Sequence, residues 1–246
     1  MRRFFTEPEN ISGNHVKIIE DASHITRVLR MEVGENILVF DGTGYEYTVK
    51  LTDLNQKECH GEILDKKFSE QEPSVKITTF QGLPKSGKME SIIQKSVELG
   101  ATSIIPTATD RCVVKLDQKG KKEKTKRWNK VSMEAAKQCG RGLVPVVEEP
   151  ISFSEAVSHM KEMDLALMPY EVLGHQGECS LKNILKENNG KKIGILIGPE
   201  GGFTEQEASF AQDNNIHLIG LGKRILRTET VASAMTAMIM YEKGEM

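Results

Sequence analysis

The hydrophobic rhythm of this chain changes once, at Pro73, and that change does most to limit what it can fold into. Before it, residues 15–20, 36–40, 45–51 and 59–64 are short β-type runs, punctuated by Asp41-Gly42-Thr43-Gly44 and Asp53-Leu54-Asn55. Short strands at this spacing predict a small barrel over residues 1–70. Residues 66–74 are polar and contain Pro73, so a linker is expected there. Beyond it, strand-like runs at 75–81, 102–105, 165–168, 193–197 and 217–221 alternate with helical spacing at 88–99, 123–139, 152–163, 204–213 and 231–241. Alternation of this kind predicts an α/β domain with a parallel sheet over residues 74–246. Gly100 has the position of a C-cap, and Thr204 with Glu207 forms a capping box that starts a helix.

A chain of 246 residues can bury a substantial core. Its net charge of −2 removes any bulk electrostatic pull toward nucleic acid, so RNA affinity would have to come from local patches. Cys59, Cys112, Cys139 and Cys179 are far apart, with no CxxC pair and no histidine at zinc-ligand spacing. Reduced thiols are therefore expected and a metal site is not. Without an apolar run long enough for a membrane span or a signal core, the expectation is a cytoplasmic protein.

Two loops carry the chemistry. Gly198-Pro199-Glu200-Gly201-Gly202 follows the apolar run 193–197, and residues 221–230, Leu-Gly-Lys-Arg-Ile-Leu-Arg-Thr-Glu-Thr, follow the run 217–221. In a parallel sheet such loops lie side by side at the carboxyl edge, where α/β proteins bind ligands. Glycine permits close backbone approach and proline stiffens the turn, though the same residues could make a plain tight connection. Neither GxGxxG nor GxxxxGK[ST] occurs, which disfavours dinucleotide and P-loop sites. In the second loop Arg224, Arg227 and Glu229 are interleaved with apolar Ile225 and Leu226. A partly packed loop of that kind makes its charges costly unless they have partners or a function; the plain alternative is a solvated Arg–Glu pair.

Further along, Glu134 and Gln138 share a helical face leading to Arg141 just past Gly140. Ahead of them, residues 115–130 hold eight Lys or Arg, either a solubilising stretch or an RNA-facing patch. His24, Arg27 and Arg30 fall within one or two helical turns in the first domain.

Together these motifs resemble the SPOUT-class 16S rRNA uridine-N3 methyltransferase family. The resemblance rests on Met1-Arg2-Arg3-Phe4-Phe5, residues 24–30, Glu98-Leu99-Gly100, Arg111, residues 134–141, residues 197–202 and residues 221–230, spread over almost the whole chain. It implies a PUA-like β-barrel at the N-terminus and a C-terminal SPOUT α/β domain with a trefoil knot, which nothing in periodicity would have revealed. It also implies S-adenosylmethionine as methyl donor, a homodimer with sites at its interface, and 16S rRNA in the assembled 30S subunit as substrate. Cofactor-binding residues carried over by position are Met168, Tyr170, Glu171, Ile197, Gly198, Pro199, Glu200, Gly201, Gly202, Leu221, Gly222, Ile225, Leu226, Thr228 and Thr230. Arg227, Arg141 and Glu229 are the expected catalytic residues, and Arg2, Arg3, His24, Arg27, Arg30, Arg111 and Gln138 the expected RNA contacts. Val231 and Cys139 depart from the usual Ala and Ser of the family, which implies altered packing with activity intact. Two rivals remain open at this level: a related SPOUT enzyme with another RNA target, and a non-catalytic RNA-binding assembly factor.

Overall fold

Six strands make one sheet in the N-terminal unit, which comprises residues 1–72 and 136–144. They are β1 (Arg3–Phe5), β2 (Ile11–Ser12), β3 (His15–Ile18), β4 (Asn36–Phe40), β5 (Tyr45–Leu54) and β6 (Cys59–Phe68), in the order β1-β4-β5-β6-β3-β2. All pair antiparallel except β1 with β4. Two register shifts in the β5–β6 hairpin, between Thr48 and Val49 and between Leu51 and Asp53, bend and twist it. Thr6 Oγ1 then donates to the Lys17 carbonyl at 2.5 Å, tying the end of β1 to β3 on the far side of the strand order. Alternate residues such as Ile37, Val39, Val49, Leu51, Val16 and Ile18 fill the enclosed core.

The computed structural model describes residues 1–85, 87–174 and 181–246, so Cys179 lies outside the described residues. Part of the expected linker is strand. Lys66, Lys67 and Phe68 pair with Tyr47, Glu46 and Tyr45, and the Lys66 ammonium sits 4.2 Å from the Tyr45 ring centroid. Cross-strand contacts thus outweigh the polar composition. β1 and β2 are too short to carry a periodic signature.

The second unit, residues 73–135 and 145–246, is built on β7 (Lys76–Gly82), α1 (Lys88–Glu98), β8 (Ser103–Ala108), α2 (Gln118–Cys139), β9 (Val146–Val147), β10 (Ile151–Ser152) and α3 (Phe153–Met160). It continues through β11 (Leu165–Pro169), α4 (Glu171–Gly174), α5 (Leu181–Glu187), β12 (Lys192–Ile197), α6 (Glu205–Asp213), β13 (His217–Ile219) and α7 (Thr228–Glu242). The last residues of α2, from Ala136, group with the first unit. The strands form a wholly parallel sheet, β10-β8-β7-β12-β11-β13, with β9 on β8.

Both faces of this sheet are covered, which explains its near-continuous apolar strands. Leu165, Leu167, Ile193, Ile195 and Ile197 face a core shared with Ala232, Met235 and Ile239 of α7. Ala166, Met168 and Leu196 face the opposite core with Val157 of α3 and Ala208 of α6. α3 and α6 each open with a complete capping box, Ser152 with Glu155 and Thr204 with Glu207. Several boundaries differ from the sequence expectation; β13 ends at Ile219 rather than 221 and α3 at Met160 rather than 163. α2 starts at Gln118 rather than 123, so most of the lysine-rich stretch is helical. β8 continues through Pro106, paired opposite Gln81. α7 starts at Thr228, so the last residues of the charged loop are its first turn. Among the described residues no helix is long and apolar enough to cross a membrane.

Candidate active site

β12, β11 and β13 are consecutive neighbours in the sheet, and the segments leaving them wall a cavity of about 570 Å³. That volume falls within the ~300–1,000 Å³ common for small-molecule sites. Pro169 ends β11, with Tyr170, Glu171 and Val172 after it; Ile197 ends β12, with Gly198 to Phe203 after it; Leu221 to Thr228 lead from β13 into α7. Lys88 at the start of α1 and Arg111 after β8 complete the wall.

The geometry is set by a crossing. β13 lies at the edge of the sheet, yet α7 packs against β12 and β7, so the chain between them passes back over the ends of β11 and β12. Its landing point is a buried polar cluster. Thr228 Oγ1 donates to the Gly198 carbonyl at 2.6 Å and accepts from Gln81 Nε2 at 2.8 Å; Gln81 also donates to the Gly82 carbonyl at 3.0 Å. The glycine turn is closed by Gly202 N–H to the Pro199 carbonyl at 2.9 Å, with Gly202 at φ +66°. That left-handed backbone favours glycine. Gly82 is needed for another reason, since a Cβ there would lie 2.6 Å from Pro199 N and 2.9 Å from the Gly198 carbonyl carbon. Arg111 Nη1 braces the turn from outside by donating to the Gly201 carbonyl at 2.8 Å.

Electrostatics lock the other side. Lys88 Nζ is 3.0 Å from Glu200 Oε1 and 3.4 Å from Glu229 Oε2, and Lys85 N–H donates to Glu200 at 3.1 Å. Burial pushes the Glu200 carboxyl up, but hydrogen bonds from its own N–H, the Lys88 ammonium and Lys85 N–H outweigh it and hold the group below the ordinary glutamate value. The hydrogen bond to Glu200, together with both carboxylate charges, outweighs desolvation and raises Lys88. Glu229 Oε2 is buried and makes no hydrogen bond among the described residues, so the Lys88 ammonium is its countercharge.

The cavity therefore brings together Tyr170, Glu171, residues 197–202, Leu221, Gly222, Ile225, Leu226, Thr228 and Arg227 of the residues expected from sequence. Ile225 is 72% exposed, so the loop is less packed than its apolar interleaving suggests. Met168 and Thr230 are not part of the wall: strand alternation turns the Met168 side chain into the α3–α6 core, and Thr230 is exposed in the first turn of α7. Arg111, expected to touch RNA, lies at the cavity. Arg141 belongs to the N-terminal unit, where it is 3% exposed and its Nη2 pairs with Glu72 at 2.8 Å. Arg3 is also a clamp, donating to Glu46 at 2.7 Å and to the Gly140 and Arg141 carbonyls at 2.6 and 2.5 Å. Arg2, His24, Arg27 and Arg30 are exposed on that unit, His24 and Arg27 within a π-helical turn, and Gln138 is exposed near the end of α2. Glu229 contributes through Lys88 from behind the wall.

Sequence reading missed Lys88 and Gln81. Lys88 had a signal, since a cation at the first position of a helix opposes the helix dipole and calls for a local partner. Gln81, one polar residue at the end of an apolar strand, had none.

A family profile described as an RNA methyltransferase domain matches residues 70–240, and one described as an RNA methyltransferase PUA domain matches residues 20–64. The chain is 36% identical to the ribosomal RNA small subunit methyltransferase E of Bacillus subtilis, over 91% of this chain and 88% of that one. It is 33% identical to the protein of the same name from Synechocystis, over 96% of this chain and 76% of that one. Among solved structures, the ribosomal RNA small subunit methyltransferase E of Neisseria gonorrhoeae bound to S-adenosyl methionine superposes with a TM-score of 0.86 at 35% identity, covering 98% and 97% of the two chains.

Proposed function

Because this chain belongs to the ribosomal RNA small subunit methyltransferase E family, we propose that it transfers a methyl group from S-adenosylmethionine to N3 of a specific uridine in 16S rRNA. The observation that carries this reading is the cavity itself, where a glycine turn and an arginine-bearing segment meet at the carboxyl ends of β11, β12 and β13.

The residues present fit the cofactor. Backbone of the Gly198–Gly202 turn allows close approach, Ile197, Leu221 and Leu226 offer apolar walls, and acidic and basic side chains both line the rim. That mixture suits a molecule with an aromatic base, a cationic sulfur and an amino-acid end. When bound, S-adenosylmethionine supplies an electrophilic methyl group on its sulfonium.

Methylation at N3 requires the N3 proton to leave, and negative charge then spreads onto the flanking carbonyl oxygens. Arg227 is exposed at the cavity wall and its side chain makes no hydrogen bond or ion pair among the described residues. A guanidinium so placed stabilises charge as it develops. Arg227 is also the N-cap residue of α7, whose extended backbone is fixed by Thr228, so its position is set by the polar cluster behind it. Glu229 holds Lys88 and with it the glycine turn, an orienting role that leaves Arg227 the reacting partner. N3 lies on the Watson–Crick edge, so the target base must be unpaired or splayed out. His24, Arg27, Arg30 and Arg2 on the N-terminal unit then grip RNA, with Gln138 as a further contact. A cytoplasmic homodimer, a knotted C-terminal thread and assembled 30S subunits as substrate complete the reading.

The deciding experiment is methylation of 30S subunits from a strain lacking this enzyme, followed by nucleoside mass spectrometry. Recovery of 3-methyluridine is expected; another methylated nucleoside, or none, overturns the proposal.

A further inference from the structure

Helix α2 breaks two rules that α3 and α6 obey. α3 and α6 carry acidic residues in their first turns, Glu155 in one and Glu205 with Glu207 in the other. α2 has no acidic residue in its first turn; its N-terminus is closed by Asp117 Oδ1, which accepts from Gly120 N–H at 2.8 Å. The following residues, 118–130, hold seven cations against the single carboxylate of Glu123. Cations near a helix N-terminus oppose its dipole, and like charges four residues apart repel. Lys122, Lys126 and Lys130 are spaced in just that way. A helix shaped by folding alone would avoid this arrangement, and local rules are broken where function demands it.

The pattern has a face. At 100° per residue, Lys119, Lys122, Lys126 and Lys130 fall within an arc of about 80° and extend about 16 Å along the axis. All four are exposed. On the opposite side Trp128 is 4% exposed, and hydrogen bonds from two further residues pin the helix. Asn129 exchanges hydrogen bonds with Val147 at 2.7 and 3.0 Å, and Ser132 Oγ donates to the Pro145 carbonyl at 2.5 Å. The stripe therefore points outward from a fixed helix. Lys119 has one exposed partner, Glu123 at 3.9 Å, and no ion pair joins Lys122, Lys126 or Lys130 to an acid among the described residues.

We propose that Lys119, Lys122, Lys126 and Lys130 form a track for the RNA phosphate backbone on the catalytic unit, separate from the cavity and from the exposed residues of the N-terminal unit. The occupant follows from chemistry. Lysine ammoniums are point charges without the planar fork that reads base edges, so the track binds phosphates without sequence preference. A membrane surface is disfavoured because the apolar side of α2 is the buried one. The inference rests on the ribosomal RNA reading above and adds how a protein of net charge −2 holds a polyanion.

Full-length protein with Lys119, Lys122, Lys126 and Lys130 all changed to Gln tests it. Binding to 30S subunits and to 16S rRNA is measured over a salt series, alongside kcat and KM for methylation. Each phosphate contact contributes about 0.7–0.9 to the slope of log affinity against log salt, so the variant's slope is expected to be shallower by about 3. KM for 30S should rise while kcat at saturation and calorimetric affinity for S-adenosylmethionine stay at wild-type values. A companion variant with four arginines should restore slope and KM. An unchanged slope and KM in the glutamine variant would overturn the track. If wild type forms no methylated nucleoside yet the slopes still differ, the function reading fails and the track stands.

Discussion

Thr228, the first residue of α7, donates its hydroxyl proton to the Gly198 carbonyl at 2.6 Å while accepting from Gln81 at 2.8 Å. One buried side chain thereby joins the ends of β7 and β12 to the helix that follows the arginine segment.

Thr228→Val keeps the shape and removes both hydrogen bonds. Gln81 Nε2 retains the Gly82 carbonyl, so the loss should be about 1 kcal/mol rather than the several expected of a fully orphaned amide. Thermal or urea unfolding measures it. Affinity for S-adenosylmethionine should fall as well, since Gly198 is part of the cavity wall; unchanged stability and affinity would show that the cluster does not hold the site.

Gly82→Ala places a Cβ 2.6 Å from Pro199 N and 2.7 Å from its Cδ. Because the obstacle is backbone and a ring rather than a flexible side-chain end, the glycine turn must shift. Overpacking of this kind costs about 1–3 kcal/mol. Cofactor titration calorimetry should show weaker binding of S-adenosylmethionine for this variant; unchanged affinity would show that the turn tolerates the shift.

Arg227→Ala should abolish methyl transfer with cofactor binding nearly intact, because the side chain is exposed at the wall while its backbone caps α7. Single-turnover methylation of 30S subunits is the measurement; wild-type rates in the variant would remove Arg227 from the mechanism. Arg227→Lys keeps the charge without the planar fork and should recover only part of the rate.

The Glu200–Lys88 pair gives a pH dependence with a definite sign. Folded Glu200 titrates below its ordinary value of 4.5, so its contribution is complete above that value and fades as pH falls through the folded pKa. Lys88 is raised, so its share is complete below the ordinary lysine range and is lost as pH rises through the folded value. The stability gap between wild type and Glu200→Gln should thus be constant through neutrality and narrow below about pH 4.5, followed by melting temperature against pH. A gap that widens in acid would contradict the pair.

Much of the architecture was legible in sequence. The change of rhythm at Pro73 falls at the start of the second unit, and the apolar runs 165–168 and 193–197 became adjacent parallel strands. Their loops were readable as a site because glycine, proline and charge cluster in a few consecutive residues. Side-chain direction was less accessible: Met168 adjoins the cavity in sequence but its side chain belongs to a core face, and Arg3 and Arg141 are internal clamps.

By itself, then, the sequence determined the two-part organisation, the parallel sheet and the two loops that wall the cavity, since periodicity and turn residues act over a few neighbours. Tertiary structure decided which strands are adjacent, that the chain from β13 crosses back to β12 and β7, and that Lys88 and Gln81 meet Glu200, Glu229 and Thr228. Gln81 and Thr228 are separated by 147 positions. No local rule ties such residues together; burial of both sheet faces does, by fixing where each helix must return.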